Sequence, residues 1–231
     1  MKWKRLKPKR RLKPPDHQVL QHVARYRLTT NEIVRRAVLI DLSHDAVTKR
    51  MNRFCASNYL HKYTLVHPTR YYVLGAVGAC LLGLGEHRVF SLGPQSLPVE
   101  FAILVYALLG KQPRERLTRA EILQWCPWLV PSMADAPHCS DPRRQVLELV
   151  RVDLGGPAHH VARKCVIDVT KRRHLREFLP FVAQGQFRLV VITATSEKSR
   201  AVRQALQSHD WPKGLLVHFS VVPQLLSVSA R

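Results

Sequence analysis

The sequence predicts a two-domain protein of mixed α and β structure: an N-terminal winged helix-turn-helix and a C-terminal mixed α/β sheet. Three short helical patterns followed by two β-prone runs predict the first domain. Alternating strand and helix patterns toward the end of the chain predict the second. The third observation is a net charge of +21 over 231 residues. Such a charge is tolerated mainly where a polyanion neutralises it, so nucleic acid is the first candidate partner.

Four segments are predicted along the chain. Positive charge is concentrated toward the N-terminus: residues 1–75 carry 17 basic and 4 acidic side chains, against 20 and 12 in the remainder. Eight of the first thirteen residues are Lys or Arg, and prolines interrupt any helix there. The predicted segments are a flexible basic arm (1–14), the winged helix-turn-helix (15–90), a helical connector (91–130) and the α/β domain (131–231).

Composition excludes several classes of protein. No apolar stretch reaches the roughly 18 to 20 residues that cross a bilayer, the best being residues 73–84. The basic start is not followed by an apolar segment of the kind a secretory signal has. The five cysteines are widely spaced and form no CxxC pair, which favours reduced thiols. We therefore expect a cytoplasmic protein, associated with nucleoid or plasmid, without a membrane partner; a basic surface kept for anionic lipid or for solubility would have the same composition.

Two short helices are predicted before residue 43. Pro15 and Asp16 suit the first turn of one helix. Thr29 and Glu32 have the spacing of a capping box at the start of the other. The predicted apolar faces are Val19, Leu20 and Val23 in the first helix and Ile33, Val34, Ala37 and Val38 in the second.

A third helix carries the predicted recognition surface. Ser43 can cap its N-terminus, and Val47, Met51 and Phe54 recur at the spacing of one buried face. A helix fits the major groove of DNA, where Asn, Lys and Arg side chains bond to base edges or phosphates. The solvated face of any core helix could show the same pattern of polar residues. DNA binding is favoured here because the basic arm, the three helices and the hairpin occur in the order that a winged DNA-binding domain requires. The opposite face of this helix holds Asp45, Thr48, Lys49, Asn52 and Arg53.

A β-hairpin, or wing, is predicted after the third helix. Residues 59–66 and 71–74 are β-prone and flank a short polar turn. With the arm and the third helix, this hairpin completes the surface predicted to contact double-stranded DNA. The predicted contacts are Lys2, Lys4, Arg5, Lys7, Lys9, Arg10, Arg11 and Lys13 in the arm, Thr48, Lys49, Asn52 and Arg53 in the helix, and Lys62 and Arg70 in the wing.

The C-terminal part alternates between helical and extended patterns. Two helices are predicted first, one around Phe101 and Leu104 and one from Thr118, which has a capping-box Glu121. A partly parallel sheet is expected after them. The remaining predicted elements are a loop over 126–142, strands over 146–154 and 165–169, a helix over 175–182, a strand over 187–193, a helix over 202–206 and a strand over 215–219.

These motifs also carry a resemblance to known families. The run Ser43–Phe54, the hairpin and the run Tyr71–Gly78 resemble winged-helix proteins in general. With the α/β half behind them, the whole chain resembles the replication-relaxation family of bacterial mobile elements. The resemblance implies an accessory factor in replication, mobilisation or conjugation, with a winged helix ahead of a degenerate restriction-endonuclease-like domain. That domain would supply self-association into a homodimer or a docking surface for a partner protein; the chain would otherwise serve as an interaction subunit of a larger nucleoprotein complex. Transcription control is a further role that we expect of such a DNA-binding protein.

A metal-dependent nuclease is the catalytic alternative. Such a site needs an Asp near the end of one strand and an acidic-x-Lys motif on the next, so that two carboxylates hold Mg²⁺ while Lys orients water. Asp141 or Asp153 offers the first carboxylate, and Asp168 with Lys171 the second motif. The spacing is one residue too long, which turns Lys171 to the opposite face of a strand. We therefore expect a binding domain without catalysis.

Zinc and cofactor sites are not expected. The chain has no phosphate-binding glycine loop. Its Cys and His residues have the right atoms for zinc, but their spacing matches no familiar finger or ribbon. The residues concerned are Cys126, His138, Cys139, His159, His160 and Cys165.

A second basic patch is predicted in the α/β domain. Lys171, Arg172, Arg173 and Arg176 cluster at what the pattern indicates is a helix start. Positive charge there opposes the helix dipole unless an anion is bound. The cluster therefore predicts a second phosphate contact, although an ordinary solvated turn would have the same composition.

Overall fold

The computed structural model describes residues 12–110 and 112–229. It has mixed α and β structure, which confirms the predicted fold class in its coarse form. The chain divides into two compact units, one ending at Leu104 and the other beginning at Val105. This division falls inside the predicted connector. The predicted arm contacts Lys2, Lys4, Arg5, Lys7, Lys9, Arg10 and Arg11 lie outside the described residues.

The first unit contains three helices and a hairpin in the predicted order, followed by a short fourth helix and a 3₁₀ turn. The hairpin strands are antiparallel, with Leu60 opposite Leu74. The apolar faces of the helices meet in one core with the hairpin, including Leu20, Val47 and Tyr72. The elements are α1 (Pro14–Tyr26), α2 (Asn31–Ala37), α3 (His44–Ala56), β1 (Leu60–Val66), β2 (Thr69–Leu74), α4 (Ala76–Leu81) and a 3₁₀ turn (Glu86–Arg88).

Local capping explains where these helices begin. The Asp16 carboxylate accepts the backbone N–H of Lys13 at 3.0 Å, and the Ser43 hydroxyl accepts that of Ala46 at 3.3 Å. The predicted cap of α2 is wrong by one residue, because Thr30 caps this helix. Thr29 instead pairs its backbone with Tyr72, and its hydroxyl shares a 2.9 Å hydrogen bond with the His22 ring.

A five-stranded sheet forms the centre of the second unit. Its strand order is β3-β4-β5-β6-β7; β4 is antiparallel to both β3 and β5, whereas β5, β6 and β7 run parallel to one another. Helix α5 contains the division between the units. The elements are α5 (Ser96–Leu109), β3 (Glu115–Arg116), α6 (Arg119–Trp125), α7 (Pro131–Ala134), β4 (His138–Asp141), β5 (Val146–Val152), α8 (Ala158–Arg173), α9 (Phe178–Ala183), β6 (Phe187–Thr193), α10 (Ser196–Gln207), β7 (Leu216–Val221) and α11 (Leu225–Ser229).

The two faces of the sheet differ in chemistry. One face packs Leu149 and Leu189 against apolar side chains of α8 and α10. Side chains alternate along a strand, so Glu148 and Arg188, which are register partners, point to the other face. There the buried Glu148 carboxylate accepts hydrogen bonds from Tyr106 Oη at 2.8 Å, Arg114 Nε at 2.9 Å and Arg188 Nη1 at 3.0 Å. Burial and the Glu148 charge raise the pKa of the Tyr106 phenol well above its usual range.

Two sequence predictions in this unit are wrong. The predicted strand over 165–169 belongs to the helix α8. A short apolar run has the same sequence pattern in a buried helix and in a buried strand. The structure shows that Val161, Cys165 and Val169 are buried on one face of the helix α8. The predicted loop over 126–142 contains α7 and β4. Three of the four residues of β4 are polar and therefore do not indicate a strand, yet β4 is buried and pairs with both neighbouring strands.

Within residues 12–110 and 112–229, no helix combines the length and the apolar character that crossing a membrane requires.

Candidate nucleic-acid interface

Helix α3 separates its apolar and polar residues onto opposite sides. Val47 and Met51 are completely buried. The polar side carries Lys49, Asn52 and Arg53, all exposed. Neither Lys49 nor Arg53 forms an ion pair with any residue that the structure describes, so both charges are available to a ligand. Asp45 lies in the first turn, where a negative charge is favourable, and the basic residues lie further along the helix.

Thr48 is the one predicted α3 contact that is half-buried. Its hydroxyl accepts a hydrogen bond from Asn31 Nδ2 at 2.9 Å. This bond joins the start of α2 to the middle of α3. Thr48 is therefore placed to hold the two helices together, while Lys49, Asn52 and Arg53 face solvent.

The hairpin adjoins the polar side of α3. Lys62 on β1 is exposed and donates a hydrogen bond from Nζ to Asn52 Oδ1 at 3.3 Å. Arg70, beside the exposed turn, donates to the Thr64 hydroxyl across the hairpin. Two side chains from separate predicted elements, Asn52 and Lys62, thus form one continuous polar surface.

A pocket of about 340 Å³ lies at the C-terminal end of α3. Lys13, the last basic residue of the predicted arm, lines it together with Arg53. The base of the arm therefore meets the cationic end of α3. Arg50, which the sequence pattern does not indicate as part of the site, also lines this pocket and pairs with Asp16 at 2.6 Å. Nothing in the sequence indicates a contact between residues so far apart in the chain.

The second basic patch does not form as predicted. Lys171, Arg172 and Arg173 occupy the last turn of α8, not a helix start, so the helix dipole favours their charge. Arg172 is buried and donates to the backbone oxygens of Asp168 at 3.0 Å and Met133 at 3.3 Å. Burial lowers the pKa of its guanidinium to about 10.

The other members of the patch are dispersed. Arg173 is exposed and pairs with Asp210 at 3.1 Å. Lys171 and Arg176 are exposed. The predicted cluster thus divides into a buried structural arginine, an ion-paired arginine and two solvated cations.

The nuclease motif is not assembled on strands. Asp168 and Lys171 lie on α8, and the Asp168 carboxylate is held by the Arg151 guanidinium through both oxygens. Asp141 is opposite Val146 at the start of β5, whereas Asp153 follows the other end of that strand. The predicted acidic-x-Lys strand is therefore wrong, because residues 168–171 are helical.

Asp153 is buried beside a small pocket of about 130 Å³. Its carboxylate accepts the backbone N–H of Gly155 at 3.2 Å and lies 3.9 Å from Lys198 Nζ. His160 and Lys164 also line this pocket. These contacts neutralise the carboxylate.

The six candidate zinc ligands are dispersed among different environments. His159 and His160 are exposed on α8 with ring centroids 4.4 Å apart. His138 is buried, and burial lowers its pKa to about 3. Burial raises the thiol pKa values to about 11 for Cys126 and to about 12 for Cys139 and Cys165. Among the described residues, no group of three or more His, Cys, Asp or Glu side chains is placed to hold a metal ion.

Comparison of the chain with protein-family models, curated proteins and solved structures finds no match. The resemblance to the replication-relaxation family stays a prediction.

Proposed function

We propose that this protein binds double-stranded DNA through a winged helix-turn-helix formed by residues 15–90. The observation that carries the proposal is the exposed polar side of α3, joined to the hairpin by the bond between Lys62 and Asn52. A helix with its apolar side buried and its cations and amide exposed has the chemistry of a major-groove recognition helix.

Each part of this surface has a distinct role in the proposed complex. Asn52 bonds to a base edge, for which its amide supplies both a donor and an acceptor. Lys49 and Arg53 contact bases or phosphates on either side of it. Arg70 on the hairpin contacts the flanking backbone, and the arm from Lys13 outward neutralises further phosphates or enters a minor groove.

The protein acts in this proposal as an accessory factor of a bacterial mobile element, in line with its resemblance to the replication-relaxation family. The second unit supplies self-association or a docking surface for a partner. No cleavage step is included, because the Asp168 carboxylate is engaged by Arg151 and the Asp153 carboxylate by Gly155 and Lys198.

Binding of fluorescent duplex DNA over a range of salt concentrations tests the proposal. Replacing Lys49 or Arg53 by Ala should reduce the slope of log affinity against log salt by about 1 each, since each phosphate contact contributes about 0.9. Asn52→Ala should cost about 1 to 3 kcal/mol of binding and relax sequence preference. Arg143→Ala, an exposed arginine in the turn after β4, is the matched control and should leave both quantities unchanged.

The preferred site is obtained by crosslinking the protein and sequencing the DNA that copurifies with it. One enriched motif, lost in Asn52→Ala, supports base recognition by α3. Equal affinity for RNA and DNA duplexes, together with unchanged binding by the Lys49, Asn52 and Arg53 variants, would refute the proposed function.

A further inference from the structure

The outer side of α8 is a second exposed cationic surface, separate in the chain from α3. This 16-residue helix buries Val161, Cys165 and Val169 in the core of the second unit. Its only acidic residue, Asp168, is buried as well. On the exposed side, which also carries His159 and Thr170, we define the α8 face as His160, Arg163, Lys164, Ile167 and Lys171.

Within residues 12–110 and 112–229, no ion pair neutralises the charge of the α8 face. Many acidic residues of the second unit form ion pairs with basic residues outside the α8 face. Arg163, Lys164 and Lys171, by contrast, form no ion pair with any part of the chain that the structure describes. The ion pairs of the acidic residues are Glu148 with Arg114 and Arg188, Asp168 with Arg151, Asp210 with Arg173, Asp153 with Lys198, and Glu197 with Arg200. Arg163 and Lys164 are adjacent, and Lys171 lies further along the same exposed side, so an anion that spans the three positive charges is favoured there.

The spacing of these charges suits a duplex. Residues 163 and 164 precede Lys171 by about two helical turns, which is about 11 Å along the axis at 1.5 Å per residue. The major groove is about 12 Å wide, so cations at the two ends of the α8 face can reach phosphates on both sides of a groove.

A lipid surface fits the α8 face less well. A helix that lies in a membrane interface needs a wide apolar side to insert among the acyl chains. The apolar side of α8 is occupied by the core of the unit, and the α8 face itself exposes one apolar side chain, Ile167, at 40%. The surface thus offers charge without an apolar side to insert.

We propose that the α8 face binds the phosphate backbone of a second duplex segment, so that one chain holds two segments of DNA. This inference rests on the proposed function, which provides the binding of the first DNA segment and identifies DNA as the class of ligand. Phosphate contacts carry no direct sequence information, so this second contact is independent of base sequence. An accessory factor with two such surfaces can bring distant sites together.

A capture experiment with the full chain tests this proposal. Beads carrying one duplex are loaded with protein, and the uptake of a second, fluorescent duplex is measured against salt. The test variant combines Arg163→Gln, Lys164→Gln and Lys171→Gln. The matched control combines Arg119→Gln, Arg143→Gln and Lys213→Gln, which removes the same charge from exposed positions elsewhere in the second unit.

We expect the test variant to lose about tenfold or more of the second-duplex uptake, and its salt slope to fall by about 3, since three phosphate contacts are removed. The control should stay within about twofold of the wild type. All six substituted positions are exposed, so both variants should keep the wild-type unfolding midpoint. Equal uptake by the test and control variants would overturn the proposal. If the test variant loses binding to phosphatidylserine vesicles but keeps its uptake of the second duplex, the proposal is also overturned, and the α8 face binds a lipid surface instead.

The two proposals fail in different ways. If α3 does not bind DNA, a Lys49→Ala/Arg53→Ala variant binds the first duplex like the wild type, whereas the α8 variant still loses a duplex contact. If only the inference on the α8 face is wrong, the α3 variant loses affinity and the α8 variant matches its control.

Discussion

The interiors of the two units differ in their use of charge. In the first unit, the buried polar residues among those described are His22, Thr29, Thr30 and Glu100, and the rest of the core is apolar. The second unit buries several charged groups on and beside its sheet. Lys49 and Arg53 of α3 thus remain at the surface, whereas Arg114, Arg151, Arg172 and Arg188 of the second unit form contacts within that unit. Substitutions in α3 should therefore cost binding, and substitutions in the buried cluster should cost stability.

Removing the shared acceptor of the second unit should have the largest effect. Glu148→Ala removes the carboxylate that pairs with both Arg114 and Arg188. These two arginines are only 8% and 9% exposed, so their guanidinium groups stay buried without that negative charge. Breaking a buried ion pair on one side costs about 3 to 5 kcal/mol. Urea unfolding measures the loss. Glu197→Ala breaks the exposed pair with Arg200 instead and should change stability by less than about 1 kcal/mol. Equal effects of the two variants would contradict a structural role for the cluster.

Acid should destabilise both units through buried neutral histidines. Burial lowers the pKa of His22 to about 4 and that of His138 to about 3. In the unfolded chain each titrates near 6.5, so below that pH the unfolded state binds a proton that the native state does not. The contribution of these histidines to the free energy of unfolding is fully present above pH 6.5 and is lost as the pH drops toward 4, by roughly 3 kcal/mol for His22.

Urea midpoints between pH 7 and 4.5 measure this effect. His22→Gln keeps a hydrogen-bonding side chain beside Thr29 and should show a shallower loss than the wild type. An identical pH dependence in the two proteins would show that His22 does not titrate as its burial implies.

The smallest effect on stability is expected on α3. Lys49→Ala and Arg53→Ala replace exposed cations that have no ion pair among the described residues, so each should change the free energy of unfolding by less than about 0.5 kcal/mol. Both variants should nevertheless weaken DNA binding. A loss of stability equal to that of Glu148→Ala would mean that α3 has the same structural role as the buried cluster.

Local signals in the sequence predict much of the first unit. Pro14 and Pro15 start α1, and Ser43 caps α3. In the second unit, the capping box of Thr118 and Glu121 likewise starts α6. The exposed contacts Lys49, Asn52 and Arg53 follow from the helical period once α3 is placed. The arrangement of the α8 face does not follow in the same way, because the sequence pattern assigned its central residues to a strand.

The sequence by itself determined the positions of α1, α2, α3 and the hairpin, and the basic character of the chain. Capping, helical period and turn residues act over a few residues, so the order of amino acids suffices to reveal them. Only the tertiary structure decided that residues 165–169 are helical, that β4 is a strand, and that Arg50 meets Asp16 and Glu148 meets Arg188. These features depend on contacts between residues that are distant in the chain, where burial and electrostatic pairing outweigh local propensity.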